Sequence, residues 1–211
     1  MAVAGRRREK LDETVTAIAA AGGDALAMAT DITIEGEVER LFRAAREIYG
    51  GIDILVNNAG SFAGAPTDEL PLSVWRDMID VNLTGAFICC KEAFRIMKAQ
   101  RSGRIINIGS TSAKVPRPRS AAYTASKYGL DGLTRMLAIE AREFGVAVSI
   151  IHPGNTVPGV WSGQEDKVRG EGLMDASNVA RVAVLMASLP ADANLYEGIV
   201  LPVSMPFLGR G

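Results

Sequence analysis

The sequence predicts an α/β protein built on a doubly wound parallel sheet, and three observations carry that prediction. Short runs rich in Val, Ile and Leu alternate with longer stretches of helical period, the pattern of parallel strands joined by crossover helices. Several of the short runs are apolar on both faces, as strands covered by helices on each side must be. The polar, glycine-rich residues fall just after the strands, where an open parallel sheet binds its ligands. With 211 residues, 48% of them hydrophobic, the chain is long enough to bury a substantial core and reads as one domain.

Taken in order, the chain opens in a strand that ends near Gly5, followed by a helix over 7–21. A strand "ALAMAT" (25–30) leads to a helix over 35–49, and "IDILVNN" (52–58) leads to a long helix over 73–100 with Ser73 as its N-cap. "GRIINIG" (103–109) precedes a helix over 121–144, stopped by Gly145, and "VAVSII" (146–151) and "GIVLPV" (198–203) flank a last helix over 176–189. The loop from 157 to 174 is too long for a simple connection, and loops of that length act as lids or binding loops. Trp161 within it is either a packing anchor or a substrate wall.

Composition narrows the function classes. A net charge of −1 gives no electrostatic footprint for nucleic acid, and the Arg6-Arg7-Arg8 cluster suits one phosphate better than a polyanion. No apolar run approaches the roughly 18 residues needed to cross a bilayer. Arginines stand where a signal peptide would be apolar, so the expectation is a cytoplasmic protein without a membrane partner. The two cysteines, Cys89 and Cys90, are adjacent in the apolar run "GAFICC" and lack a CxxC spacing, which reads as core packing; no metal site is expected. His152, the one histidine, ends an apolar strand with no acid beside it in sequence and reads as structural.

The stretch "AAYTASKYGL" sets Tyr123 one helical turn before Lys127, so both side chains share a helix face. A phenol alone, with a pKa near 10, is a poor proton donor or acceptor at neutral pH. A cation about 4 Å from a phenolate is worth about 4 kcal/mol at an effective dielectric of about 20, enough to bring the phenol's titration toward neutrality. Ser110, at the end of a strand, offers a hydroxyl that holds a substrate oxygen beside that phenol. By spacing alone a surface Tyr/Lys pair remains the alternative, and the neighbouring motifs decide.

Those motifs resemble the short-chain dehydrogenase/reductase family from Arg6 to about Val203. Tyr123 and Lys127 form its Y-x-x-x-K, and Ser110 stands 13 residues before the tyrosine, in the family's register. "NNAG" (57–60) is similar to the turn under the cofactor, "DVNLTG" places Asn82 as the tetrad asparagine, and "TDIT" around Asp31 and Ile32 is similar to the adenine-contacting segment. The resemblance implies a Rossmann-like fold and a nicotinamide cofactor carrying hydride to or from a small carbonyl or alcohol. It implies Tyr123 as general acid/base and Lys127 as the group that lowers its pKa and binds the nicotinamide ribose. Ser110 would orient the carbonyl, and Asn82, by disturbing its helix, would seat a water that relays protons to Lys127. Asn58, Ala59, Gly60, Asp31, Ile32, Pro153, Gly154 and Thr156 would line the cofactor, together with Tyr123 and Lys127.

Gly5, followed by Arg6 and Arg7, stands where NAD-using members carry an acid; arginines pair with a 2′-phosphate, so NADP(H) is favoured over NAD(H). Two features depart from the family. The T-G-x-x-x-G-x-G turn is absent together with the first strand and helix, which predicts an N-terminally truncated form whose sheet lacks its central strand. After "PG" the family's threonine position is Pro158, and Thr156 lies out of register. Two other readings stay open: a non-catalytic remnant serving as an association module, and a relative catalysing isomerisation on the same site. The resemblance also implies a homodimer or homotetramer through the helices over 73–100 and 121–144, the second of which is apolar on more than one face.

Overall fold

The computed structural model describes residues 1–158, 163, 166 and 168–208. Trp161 and part of the predicted 157–174 lid lie outside the described residues. The order is β1 (Ala2–Gly5), α1 (Arg8–Ala20), β2 (Leu26–Ala29), α2 (Glu35–Tyr49), β3 (Ile54–Asn57), α3 (Leu72–Ile79), α4 (Gly85–Gln100), β4 (Gly103–Ile108), α5 (Ala121–Ala141), β5 (Val146–Pro153), β6 (Thr156–Val157), β7 (Met174–Asp175), α6 (Ser177–Ser188) and β8 (Glu197–Val200).

All strand pairs are parallel. β3, β4, β5 and β8 form a four-stranded sheet in that order, whereas β1 and β2 form a separate pair. Among the described strands none joins β1 to β3, and Ile54 and Val56 of β3 stay 46% and 44% exposed.

The main core lies between the sheet and α2, α4 and α5. Val38, Leu41, Phe42 and Ala45 recur at helical spacing on α2 and are all buried, and the three larger ones join the cluster with Ile105 and Val148 of the sheet and Met97 of α4. Each such side chain contributes about 1.5–3 kcal/mol by leaving water, and Ile105→Ala would cost about 2–5 kcal/mol. Cys89 and Cys90 sit in this core, 4% and 2% exposed, where burial pushes both thiols up to about 12. On the other face α6 packs Met186 against Ile106 and Ile151.

The helix predicted over 73–100 is three pieces. α3 begins at Leu72 after Pro71, so Ser73 lies inside the first turn and is not its cap. A π-helical turn, Asp80–Thr84, then joins α3 to α4. Gly145 does stop the next helical stretch, in left-handed backbone at φ +70°; a Cβ there would meet the Arg101 carbonyl oxygen at 2.8 Å.

Candidate active site

The polar residues at the carboxyl ends of β3, β4 and β5 face the first turns of α5. Ser110 leaves β4 in extended backbone, 7% exposed, and its hydroxyl accepts a hydrogen bond from the Ser112 amide at 3.1 Å. That contact turns the chain into a short 3-10 helix, Thr111–Ala113. The Ser110 hydroxyl also lies near enough to the Tyr123 phenol to favour its ionised form. Tyr123 is half-buried, and its ring meets Phe62 edge-on, with centroids 5.1 Å apart.

Lys127 is buried one turn further along α5. Its ammonium donates to the Ile108 carbonyl at 2.8 Å and lies 5.8 Å from the centre of the Tyr123 ring. Burial pushes it down from 10.5 to about 8. The spacing predicted a closer cation and a phenol drawn toward neutrality, and the structure corrects this. Burial raises the Tyr123 phenol above 10.0, opposed by the Ser110 hydroxyl and the Arg117 guanidinium. With the ammonium turned to a carbonyl, desolvation wins, and Tyr123 holds its proton at neutral pH.

Asn82 occupies the π-helical turn and is 1% exposed. Its Oδ1 accepts the Ser61 amide at 2.8 Å and its Nδ2 donates to the Ser61 carbonyl at 2.9 Å. Nδ2 also reaches the Ser126 hydroxyl at 3.2 Å, which donates to the Tyr123 carbonyl at 2.8 Å. The extra residue of the π turn thus lets one amide clamp the loop after β3 to α5. In this loop Asn58, Ala59 and Gly60 are exposed, and a Cβ on Gly60 would stand 3.3 Å from Asn82 Oδ1 and 3.9 Å from Lys127 Nζ. Bare backbone therefore lies over the lysine, leaving room for a flat ligand.

The remaining predicted binding residues lie at the ends of neighbouring strands. Arg6 and Arg7 follow β1 and are exposed, whereas Arg8 and Lys10 pair with Asp12 and Glu13. Asp31 follows β2; its carboxyl is held below the usual range by hydrogen bonds from Thr33, with a smaller contribution from Arg6. Ile32 packs on α4, where a Cβ at Gly85 would meet its Cδ1 at 2.7 Å. Pro153 ends β5, Gly154 donates its amide to Val200 at 2.8 Å, and Thr156 pairs with Met174. Ser110, Tyr123, Lys127 and Asn82 come together, whereas Arg6 and Arg7 follow a strand of the separate β1–β2 pair.

Sequence reasoning missed Ser61 and Ser126, the two partners of Asn82, and Asn155, whose buried amide accepts from Arg117 at 2.9 Å and donates to the Gly172 carbonyl at 3.1 Å. It also missed a polar chain across the sheet, in which Asn57 donates to Asn107 and Asn107 to Thr134, each at 2.9 Å. None has a local signal beyond being a polar residue in or beside an apolar run.

A parallel α/β sheet with a serine, a tyrosine and a lysine gathered at its carboxyl edge defines a Rossmann-like protein with a site suited to proton transfer at an oxygen. The chain belongs to the short chain dehydrogenase family, whose model matches residues 1–168. It is 43% identical over 143 residues to "3beta-hydroxysteroid dehydrogenase 1" of Eggerthella lenta, covering 67% of this chain and 55% of that protein. It is 35% identical over 208 residues to "Cis-4-hydroxycyclohexanecarboxylate dehydrogenase" of Sinomonas cyclohexanicum, covering 95% of this chain and 84% of that one. Among solved structures, a metagenomic short-chain oxidoreductase in complex with NADP aligns with a TM-score of 0.83 and 32% identity, covering 95% of this chain and 84% of that chain. The matches to three of the curated relatives span only 55% to 58% of those relatives' length. Among the described residues no helix is long and apolar enough to cross a membrane.

Proposed function

We propose that the protein is an NADP(H)-dependent oxidoreductase interconverting a small-molecule alcohol and carbonyl. The observation that carries the reading is the grouping of the Ser110 hydroxyl, close enough to act on the Tyr123 phenol, with Lys127 buried one turn away. Ser110 positions the substrate oxygen, and the phenol, protonated at neutral pH, donates to that oxygen in the reductive direction. Lys127, about 8 in this state, is mostly charged at neutral pH and stabilises the phenolate left behind. Asn82 holds the loop after β3 against α5, so that Gly60 and Lys127 keep a fixed separation. In the oxidative direction Tyr123 must first lose its proton, so that rate rises with pH.

The residues present fit a nicotinamide dinucleotide: exposed, side-chain-poor backbone at Asn58–Gly60 beside the lysine, and exposed Arg6 and Arg7 at the end of β1. When bound, that cofactor supplies the hydride. Gly60 and Lys127 would flank its nicotinamide half, Asp31 and Ile32 its adenine half, and Arg6 and Arg7 the 2′-phosphate. Pro153, Gly154 and Thr156 would line the same edge. The NADP complex of the 32% identical neighbour supports this choice. The relatives' names, a hydroxysteroid and a hydroxycyclohexanecarboxylate dehydrogenase, support a secondary alcohol as substrate.

We place the enzyme in the cytoplasm as a homo-oligomer. Two free buried cysteines suit a reducing compartment. Tyr128, Met136 and Ile139 of α5 are exposed at helical spacing on one face, with Gly132 between them, and Phe87 of α4 is exposed too. Tyr123→Phe tests the chemistry. It removes the proton donor and keeps the ring's contact with Phe62, so turnover falls at least 100-fold while NADPH affinity stays within about threefold. Turnover retained within about tenfold refutes the assignment.

A further inference from the structure

His152 is fully buried, and its ring lies against the backbone of Gly109 and Ser110, the two residues that follow β4. A Cβ on Gly109 would stand 2.6 Å from Nδ1, so only glycine lets the ring approach. Nδ1 is 2.9 Å from the Ser110 carbonyl oxygen and 3.3 Å from the Ser110 amide nitrogen. On the opposite side of the ring Nε2 has no hydrogen-bond partner among the described residues, yet it faces two carboxylates, Asp131 of α5 and Glu197 of β8, each at 3.5 Å. The sequence showed no acid near this histidine; the topology brings in two.

The groups around the ring form one network. Lys114 reaches Glu197 at 2.8 Å and Asp131 at 3.4 Å, Arg135 of α5 reaches Asp131 at 3.0 Å and Glu197 at 3.6 Å, and Tyr196 interacts with the same charges. A lone pair on Nε2 would face two anionic oxygens, whereas an Nε2–H would point its positive end at them. We infer that His152 is a positioning residue for Ser110: the Asp131 and Glu197 carboxylates keep a proton on Nε2, which leaves Nδ1 to hold the Ser110 backbone. With the ring neutral, Nδ1 accepts the Ser110 amide; with the ring cationic, Nδ1–H donates to the Ser110 carbonyl. Burial lowers the imidazole below 6.5, against the Ser110 carbonyl and the two carboxylates, with Lys114 adding to the lowering, so the neutral arrangement is the working one at neutral pH. The role of Ser110 rests on the proposed oxidoreductase reading; the tautomer does not.

Two measurements test it. The chain has a single histidine, so its two ring nitrogens give one unambiguous pair of 15N signals. Above the imidazole's titration, Nε2 is expected at the protonated position and Nδ1 at the unprotonated one. A ring protonated on Nδ1 instead overturns the proposal, whatever the kinetics show. In turnover, His152→Leu should lower kcat about 10- to 100-fold with the KM values within about threefold, because Ser110 loses its anchor. His152→Asn places an amide where Nδ1 was and should recover most of that loss. Equal losses in both variants, or a kcat within about twofold of the parent in His152→Leu, would mean that the ring only fills space. A protein with the expected tautomer and no alcohol or carbonyl turnover would refute the activity and leave the Ser110 anchor standing.

Discussion

Lys127→Met is predicted to end catalysis without weakening the fold. Lys127 is 5% exposed, and burial holds it at about 8 against an ordinary 10.5. A lysine whose folded-state pKa is depressed binds its proton more weakly in the native protein than in the unfolded chain, so its charge opposes folding. The opposition is complete below about pH 8 and fades as the pH rises from there toward 10.5. It amounts to about 3 kcal/mol near pH 7 and about 1.5 kcal/mol near pH 9.5. Methionine keeps the length of the side chain and removes the charge, but it also loses the 2.8 Å hydrogen bond to the Ile108 carbonyl, worth about 1.5–3 kcal/mol for a charged donor. Near pH 7 the variant should therefore be as stable as the parent or up to about 1.5 kcal/mol more stable. The pH dependence is the sharper readout. Urea unfolding followed by circular dichroism should show the parent gaining about 1.5–2 kcal/mol on Lys127→Met between about pH 7 and about pH 9.5. A difference between the two proteins that does not move with pH would refute a depressed lysine. So would a variant destabilised by more than about 2 kcal/mol near pH 7.

Replacing Arg6 and Arg7 together by alanine should weaken NADPH and leave NADH nearly unchanged. A charge-assisted phosphate contact is worth about 1.5–3 kcal/mol, roughly ten- to hundredfold in affinity for each arginine engaged; equal losses for both cofactors in a fluorescence titration would reduce the pair to a helix start. Cys89 and Cys90, with thiols pushed up to about 12 in the core, should be silent to a chromogenic disulfide reagent until the protein is unfolded, and rapid labelling of the native protein would contradict their burial. Light scattering should show a dimer or tetramer at micromolar concentration, with Ile139→Glu, at a position 68% exposed in the single chain, shifting it toward monomer. A monomeric parent would refute association through α5.

The fold was legible because its signals are local. Alternating strand and helix periods place the elements to within a few residues, and 35–49 coincides with α2 because Val38, Leu41, Phe42 and Ala45 repeat at the spacing one buried face demands. The Y-x-x-x-K spacing likewise puts Tyr123 and Lys127 on one face, since helix geometry alone fixes that. Ser73 failed as a cap because the chain already enters the helix from Pro71 at Leu72, which puts Ser73 at the second helical position and not at the non-helical residue that a cap must be. The pKa of Tyr123 was misread for a related reason. Spacing says that two side chains share a face, but not that Lys127 turns its ammonium to the Ile108 carbonyl, which depends on where β4 ends beneath α5.

His152 marks the limit of such reading. Its neighbours in sequence are Ile151 and Pro153, and nothing there foretells a carboxylate. Asp131 arrives from α5 and Glu197 from β8, which pairs with β5 in parallel register, His152 opposite Ile199. Parallel pairing across a crossover helix is what joins residues 45 positions apart, and no local period encodes it. The same topology sets Ser110 one strand away on the other side, so the buried charges and the serine meet across a single imidazole. A ring so placed has no room to choose its partners: Gly109 admits it, the carboxylates set its proton, and the Ser110 backbone takes the nitrogen that remains.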